Sequence, residues 1–173
     1  MIPEFLQIKE LQWKEISLER NEYLIREGEV EKYIYFVTSG ALRAILLKED
    51  EEHTIRFGYT NSLITSINSY FSGKPSLLYI QAIRKSTLMR ASKEVLAEYV
   101  QRDKESLIAY QQILKDLVAS FLEREIDLLT KAPAERLKRL LNRSPQLFQE
   151  VPHKYIASYL RMSPETLSRL LKS

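Results

Sequence analysis

The chain has 173 residues, no cysteine, two histidines and a net charge of +3, which excludes disulfides, thiol catalysis, iron–sulfur clusters and Cys-based zinc sites. One domain or two small ones fit this length; no apolar run approaches the roughly 18 residues needed to cross a bilayer, and the opening MIPEFLQIKE lacks the basic-then-apolar order of a secretion signal. The expectation is a cytoplasmic protein with no metal and no cofactor, whose charge is divided: Lys131 to Ser173 carry nine Lys/Arg and three Asp/Glu, a net of +6, against −3 on the rest. A basic end on an acidic body points to a local polyanion partner, although a solvated helical face produces the same count.

From Asn21 to about Arg90 the pattern is β. Short runs rich in Tyr, Ile, Val and Phe alternate with turn residues: EYLIREGE, KYIYFVTSG, ALRAILLKEDEE, HTIRFGYTNS, LLYIQAIR and STLMRAS. Gly28 and Gly40 fall where strands turn, and KEDEE reads as a charged hairpin loop. SYFSGKPS interrupts the series as a short helical turn ended at Gly73-Lys74-Pro75. Short strands at regular spacing predict a sandwich or barrel.

After Ala91 the period changes. SKEVLAEYVQRD opens with Ser92 and Glu94, a helix start. Lys104 to Leu129 contains no Gly or Pro and predicts one long helix. Leu107, Tyr110, Leu114, Leu117, Phe121 and Leu128 recur at alternating spacings of three and four, broken by Arg124, as a coiled-coil seam of about three heptads. Ile108, Val118, Leu122, Ile126 and Leu129 form a second stripe. Two apolar faces need two neighbours. One is the β body; the other is the same helix of a second subunit, or a monomer's own core. The seam predicts a dimer interface of Leu107, Leu114, Leu117, Phe121 and Leu128. Pro133 suits the first turn of a new helix, PAERLKRLLNR, ending near Ser144-Pro145, and QLFQEVP connects to the last two helices.

HKYIASYL and PETLSRLLK are separated by Arg161-Met162-Ser163. Ile156, Ala157 and Leu160 face Leu167, Leu170 and Leu171, and the small Ala157 permits close approach, which is the helix-turn-helix pattern. Ser163 caps the second helix and Pro164 occupies a position that needs no N–H. The outward face then carries Glu165, Thr166, Ser168, Arg169 and Lys172. Arg grips guanine O6 and N7, Glu accepts from cytosine N4, and Ser/Thr contact bases or phosphates. Glu165 and Arg169 are spaced to pair along the helix. His153, Lys154 and Arg161 are the backbone-contact candidates. An ordinary helical hairpin with a solvated charged face shares this pattern.

The order of parts resembles the Crp–Fnr superfamily of bacterial transcription regulators, especially the branch common in Bacteroidetes-type genomes. NEYLIREGEVEKYIYFVTSGALRAIL is similar to the family's β-roll signature, and LLYIQAI, APAERLKRLL and VPHKYIASYLRMSPETLSR are similar to its later segments. The resemblance implies an α+β fold. Its parts are an N-terminal double-stranded β-helix, a jelly-roll-like β-roll sensor (1–102); a long dimerisation helix (103–130); and a helix-turn-helix DNA-binding domain (131–173) without the wing many members carry. It implies a non-enzymatic homodimer on a near-palindromic operator in double-stranded DNA, with RNA polymerase as a further partner and an effector left unspecified.

The departures concern both sites. Members that bind cyclic AMP use Gly-Glu-Leu for the ribose and Arg-Ser-Ala for the phosphate. Aligned on Gly73, this chain has Thr65-Ser66-Ile67 and Ser76-Leu77-Leu78, so both charged anchors are lost. A phosphate without a cationic partner is disfavoured in a partly buried site. The expectation is a degenerate effector pocket at Thr65, Ser66, Ser76 and Leu77. The family's reading pattern Arg-Glu-x-x-x-Arg aligns with Pro164, Glu165 and Arg169, so the operator differs from the best-known consensus. Arg161 replaces a turn residue that is often Gly, at a cost of about 1–2 kcal/mol if left-handed. The helix ahead of the β-roll is shortened, with Trp13 and its apolar neighbours as the remnant. A second reading is a ligand-sensing β-roll that regulates a protein partner, its helix-turn-helix degenerate.

Overall fold

The structure is a computed structural model describing residues 13–172. Among the described residues eight strands precede the main helices: β1 Lys14–Leu18, β2 Tyr23–Ile25, β3 Tyr33–Ser39, β4 Ala41–Lys48, β5 Glu51–Tyr59, β6 Ser62–Ile64, β7 Tyr79–Ala82 and β8 Ser86–Ser92. They form two four-stranded antiparallel sheets, ordered β1-β8-β3-β6 and β2-β7-β4-β5. Between β6 and β7 lies α1, Ile67–Ser72. Then come α2 Lys93–Arg102, α3 Lys104–Leu129, α4 Pro133–Arg143, α5 Leu147–Glu150, α6 His153–Tyr159 and α7 Pro164–Leu170. This is the expected α+β architecture.

Local chemistry accounts for most boundaries. Glu49 and Asp50, at φ 53° and 62°, make the two-residue left-handed turn joining β4 to β5, whose twist matches that of the paired strands. Gly40 is required where β3 passes to β4: its φ is +99°, and a Cβ there would lie 2.3 Å from Ser86 Oγ. Gly73 ends α1 in the left-handed conformation. Ser92 caps α2 by accepting from Val95 N–H. Asp103 caps α3 by accepting from Ser106 N–H at 2.7 Å; that backbone bond, with the Ser106 and Arg102 side chains, pushes the Asp103 carboxyl down to about 2.

The β region starts earlier than the sequence pattern suggests. Trp13 stands immediately before strand β1 rather than in a vestigial helix, and among the described residues β1 pairs only with β8. As a short, mostly exposed edge strand, KEISL carries little of the buried alternation by which strands are recognised. The apolar residues ahead of Trp13 and the opening MIPEFLQIKE lie outside the described residues, as does Ser173. QLFQEVP, expected as a connector, contains α5.

Three apolar clusters hold the elements together. Ile25, Val37, Leu42, Ile64, Ile80 and Leu88 fill the space between the sheets. Ile34, Tyr70, Ala91, Leu96 and Tyr99 seat the helices, with Tyr110 and Ile113 of α3 packed against them. The third joins β-roll residues Ala41, Phe57 and Ile83 to Leu137, Leu140, Ile156, Leu160 and Leu167. The C-terminal helices are thus packed onto the β-roll through a common core.

Helix α3 divides its two stripes unequally. Tyr110 and Ile113 pack inward, and Leu114 and Leu117 are half-buried, while Leu107, Phe121 and Leu128 are exposed. The second stripe faces outward most fully, with Val118 67 %, Leu122 58 % and Leu129 75 % exposed. No helix among the described residues is long and apolar enough to cross a membrane.

Candidate nucleic-acid interface

Helices α6 and α7 meet through side chains with no exposed surface. Ile156, Ala157 and Leu167 are fully buried and Leu160 nearly so. Ala157, the small residue expected at this contact, is among them. The turn between them is a Schellman motif: Arg161 N–H donates to Ser158 O at 3.2 Å, and Met162 N–H donates to Ala157 O at 3.0 Å. Arg161 occupies the left-handed position, with φ 54°, a conformation costing about 1–2 kcal/mol for a residue with a Cβ. Its carbonyl accepts from Arg136 at 3.3 Å, and its guanidinium meets His53 Nδ1 at 2.5 Å.

Helix α7 begins as its sequence suggests. Ser163 Oγ accepts from Thr166 N–H at 3.2 Å, and Pro164 takes the first turn. Glu165, Ser168, Arg169 and Lys172 are exposed and Thr166 is half-exposed, so the five residues expected to read bases share the open side of the helix. One expected contact is absent. Among the described residues no ion pair joins Glu165 to Arg169. Its own backbone N–H and the Ser163 hydroxyl hold the Glu165 carboxyl below the usual carboxylate range. Orphan N–H groups at the helix start compete with an exposed pair of small net worth. Arg169 is left open to solvent. His153 and Lys154 are exposed at the start of α6, the Lys154 ammonium lying 4.8 Å from the Tyr155 ring centre.

The pairs that fix this hairpin on the rest of the molecule are not visible in the sequence. Arg124, which interrupts the seam of α3, donates to Tyr159 O at 2.9 Å and to Thr54 O at 3.2 Å, with its guanidinium carbon 3.9 Å from the Tyr159 ring centre. One side chain thus ties α3, the end of α6 and strand β5. Thr54 N–H also donates to Ser158 Oγ at 3.1 Å, and Glu150 receives Arg84 at 2.9 Å and the Thr60 hydroxyl at 2.8 Å. Asp127 on α3, 2 % exposed, accepts from Arg139 at 2.8 Å and from Arg143, both on α4. Burial alone would raise its carboxyl, but the two guanidiniums hold it below the ordinary value.

Two of the four residues expected in the effector pocket meet. Ser66 and Ser76 are buried, and their hydroxyls bond each other at 2.7 Å. Ser76 also donates to Leu78 O at 2.8 Å. Thr65 donates to Tyr33 O at 2.9 Å, and Leu77 is exposed. The buried charge nearby is an acid: Glu31, 4 % exposed, accepts from Tyr35 Oη at 3.1 Å, while its backbone N–H donates to Ser69 Oγ. Burial raises the Glu31 carboxyl against the hydrogen bonds that lower it. Among the described residues no group of three or more His, Cys, Asp or Glu is placed to hold a metal ion.

Residues 15–103 match the family model of the cyclic nucleotide-binding domain. No curated protein matches the chain. Solved structures share its fold along nearly its whole length. FixK2 from Bradyrhizobium japonicum aligns at 22 % identity and a TM-score of 0.79, over 94 % of this chain and 84 % of that one. A CooA mutant from Carboxydothermus hydrogenoformans aligns at 20 % identity and a TM-score of 0.76, over 99 % and 82 %. A transcriptional regulator of the CRP family from Thermus thermophilus aligns at 19 % identity and a TM-score of 0.67, over 91 % and 82 %.

Proposed function

The chain belongs to the cyclic nucleotide-binding domain family, and from that premise we propose that it is a DNA-binding transcription regulator of the Crp–Fnr type. It acts as a homodimer on a near-palindromic operator in the cytoplasm, where RNA polymerase is the further partner. The observation that carries this reading is α7: a capped helix, seated by buried Leu167, presenting Glu165, Ser168, Arg169 and Lys172 on a basic end of the chain. Its N-terminal half enters the major groove. Arg169 reads guanine and Glu165 an adjacent cytosine. Thr166, Ser168 and Lys172 set the helix against bases or backbone, and His153, Lys154 and Arg161 meet phosphates. A degenerate hairpin would not be expected to keep the Schellman turn and the serine cap, which favours a DNA reader over a sensor module that has lost DNA binding.

The dimer forms along α3, where exposed Val118, Leu122 and Leu129 join Leu107, Phe121 and Leu128. Two recognition helices in such a dimer address half-sites about one helical turn, roughly 34 Å, apart. The β-roll does not respond to cyclic AMP or cyclic GMP. Ser66 and Ser76 satisfy each other where the anchors would stand, and the buried acid nearby is Glu31, so at these residues a cyclic phosphate meets no cation.

Selection of operator sequences from random duplex DNA tests the central reading. The expected product is an inverted repeat whose affinity falls steeply with salt. Recovery of no enriched sequence, with binding insensitive to salt, would sink it.

A further inference from the structure

A cavity lies beside the serine pair, with Thr65 of the expected effector pocket in its lining. It occupies the cleft between β5, β6 and α3, has a volume of about 570 Å³, and includes neither Ser66 nor Ser76 in its lining. That volume is within the range of roughly 300–1,000 Å³ typical of small-molecule pockets. Its walls are mainly aliphatic and aromatic, and three arginines line it: Arg143, which is paired with Asp127, and Arg56 and Arg124.

Arg56 and Arg124 differ from their neighbours. Arg139 and Arg143 are both paired with Asp127, and Arg43 is paired with Glu52. Arg56 and Arg124 are half-buried, and among the described residues neither meets a carboxylate. Arg56 donates to Ser120 Oγ at 2.9 Å and lies 4.9 Å from the Phe121 ring centre; Arg124 donates to two backbone carbonyls. Burial lowers both guanidiniums from their ordinary value, and the charge of Arg124 adds to the effect on Arg56. Two like charges beside an apolar cavity without a carboxylate in contact are unfavourable, and an anion relieves them. A guanidinium has five N–H donors; Arg56 uses one side of its fork on Ser120, leaving donors for a ligand.

The acids of the cleft limit the charge of that ligand. Glu123 and Asp116 also line it. Glu123 receives Arg139 at 2.5 Å and Asp116 receives Gln112 at 2.8 Å, so neither is turned to the arginines, but both repel a polyanion. We propose that the cleft binds an organic monocarboxylate with an extended apolar body. Its carboxylate sits on Arg56 and Arg124, and its body lies along Ile55, Ile113, Leu114 and Leu117.

Calorimetric titration of the full chain with decanoate, decanol and acetate tests this, and methyl NMR locates the site. Decanoate should bind once per chain with a Kd below about 1 mM, and decanol and acetate at least about tenfold more weakly, since each lacks one half of the recognition. Arg56→Gln should weaken decanoate by about tenfold or more with an unchanged thermal midpoint. If that variant is destabilised, Arg56→Lys and the decanol comparison carry the same test. Methyl shifts should concentrate at Ile55, Ile113, Leu114 and Leu117. No decanoate binding, equal binding of decanol, wild-type affinity in a folded Arg56→Gln, or shifts elsewhere would each overturn the proposal. None of these measurements uses DNA, so the site and the regulator reading fail separately.

Discussion

Helices α3 and α7 each turn one side to solvent, and the two sides are chemical opposites. On α3 the open side carries Val118, Leu122 and Leu129; on α7 it carries Glu165, Ser168 and Arg169. A contiguous apolar stripe in water is unfavourable, so its existence points to a covering surface. A polar stripe in water costs nothing, and its information lies instead in how firmly it is held. On α7 the hold is visible: a serine cap, a Schellman turn and a fully buried Leu167. The partner of α3 is therefore inferred from energetics, and that of α7 from geometry.

The largest expected effect breaks the first half of that contrast. Val118→Asp with Leu122→Asp should leave the fold intact and yield monomers by analytical ultracentrifugation, with operator affinity falling by about a hundredfold or more as the second half-site is lost. A wild-type chain that is itself monomeric at high concentration would remove the premise. Leu117→Asp is a different case: Leu117 is half-buried on the side of α3 that lines the cleft, so it should lower stability as well as association.

Next in size is the link between α3 and α4. Asp127→Ala leaves Arg139 and Arg143 without their buried acceptor. It should cost about 3 kcal/mol in denaturant unfolding, the low end for a broken buried pair because both arginines are partly hydrated. The pH dependence follows from the lowered carboxyl. The wild-type contribution is present above the ordinary aspartate value of 3.8 and is lost as pH falls through the lower folded value. In Asp127→Ala that acid-sensitive component should be missing; an unaltered acid-unfolding profile would contradict this account.

Arg169→Ala should cost about 1–3 kcal/mol at one base position and relax specificity there. Lys154→Ala should weaken all sequences alike and reduce the salt slope by about one unit. An unchanged selected consensus in Arg169→Ala would mean that a different side of α7 reads the bases. The smallest effect sharpens the geometric half of the contrast: Arg161→Gly should stabilise the fold by about 1 kcal/mol through relief of the left-handed strain, a difference measurable as a rise in the thermal midpoint.

Much of this fold is legible locally. Ser92, Pro133 and Ser163-Pro164 announce helix starts through caps and a missing N–H, and Gly40 and Gly73 mark turns that need positive φ. What escapes is whatever depends on distant partners. Strand β1 is an exposed edge with little alternation. The two stripes of α3 follow from periodicity, but periodicity carries no sign telling which faces the β-roll. Arg124 reads as a fault in a seam, although its guanidinium is held by carbonyls far away in sequence. Alignment on Gly73 brings Ser66 and Ser76 forward as pocket candidates, whereas their mutual hydrogen bond is not legible. The Glu165–Arg169 spacing suggests a pair, but the helix N-terminus wins the carboxylate.

Ala41, Phe57 and Ile83 of the β-roll share a core with the helices that carry α7. Swinging α7 away from the β-roll would therefore expose apolar surface and carry a positive heat-capacity change. Because apolar burial weakens on cooling, the docked arrangement loosens at low temperature even while every hydrogen bond across the seam remains available. The stiffness of this junction is then a thermal property: it should be softer in the cold than in the warm.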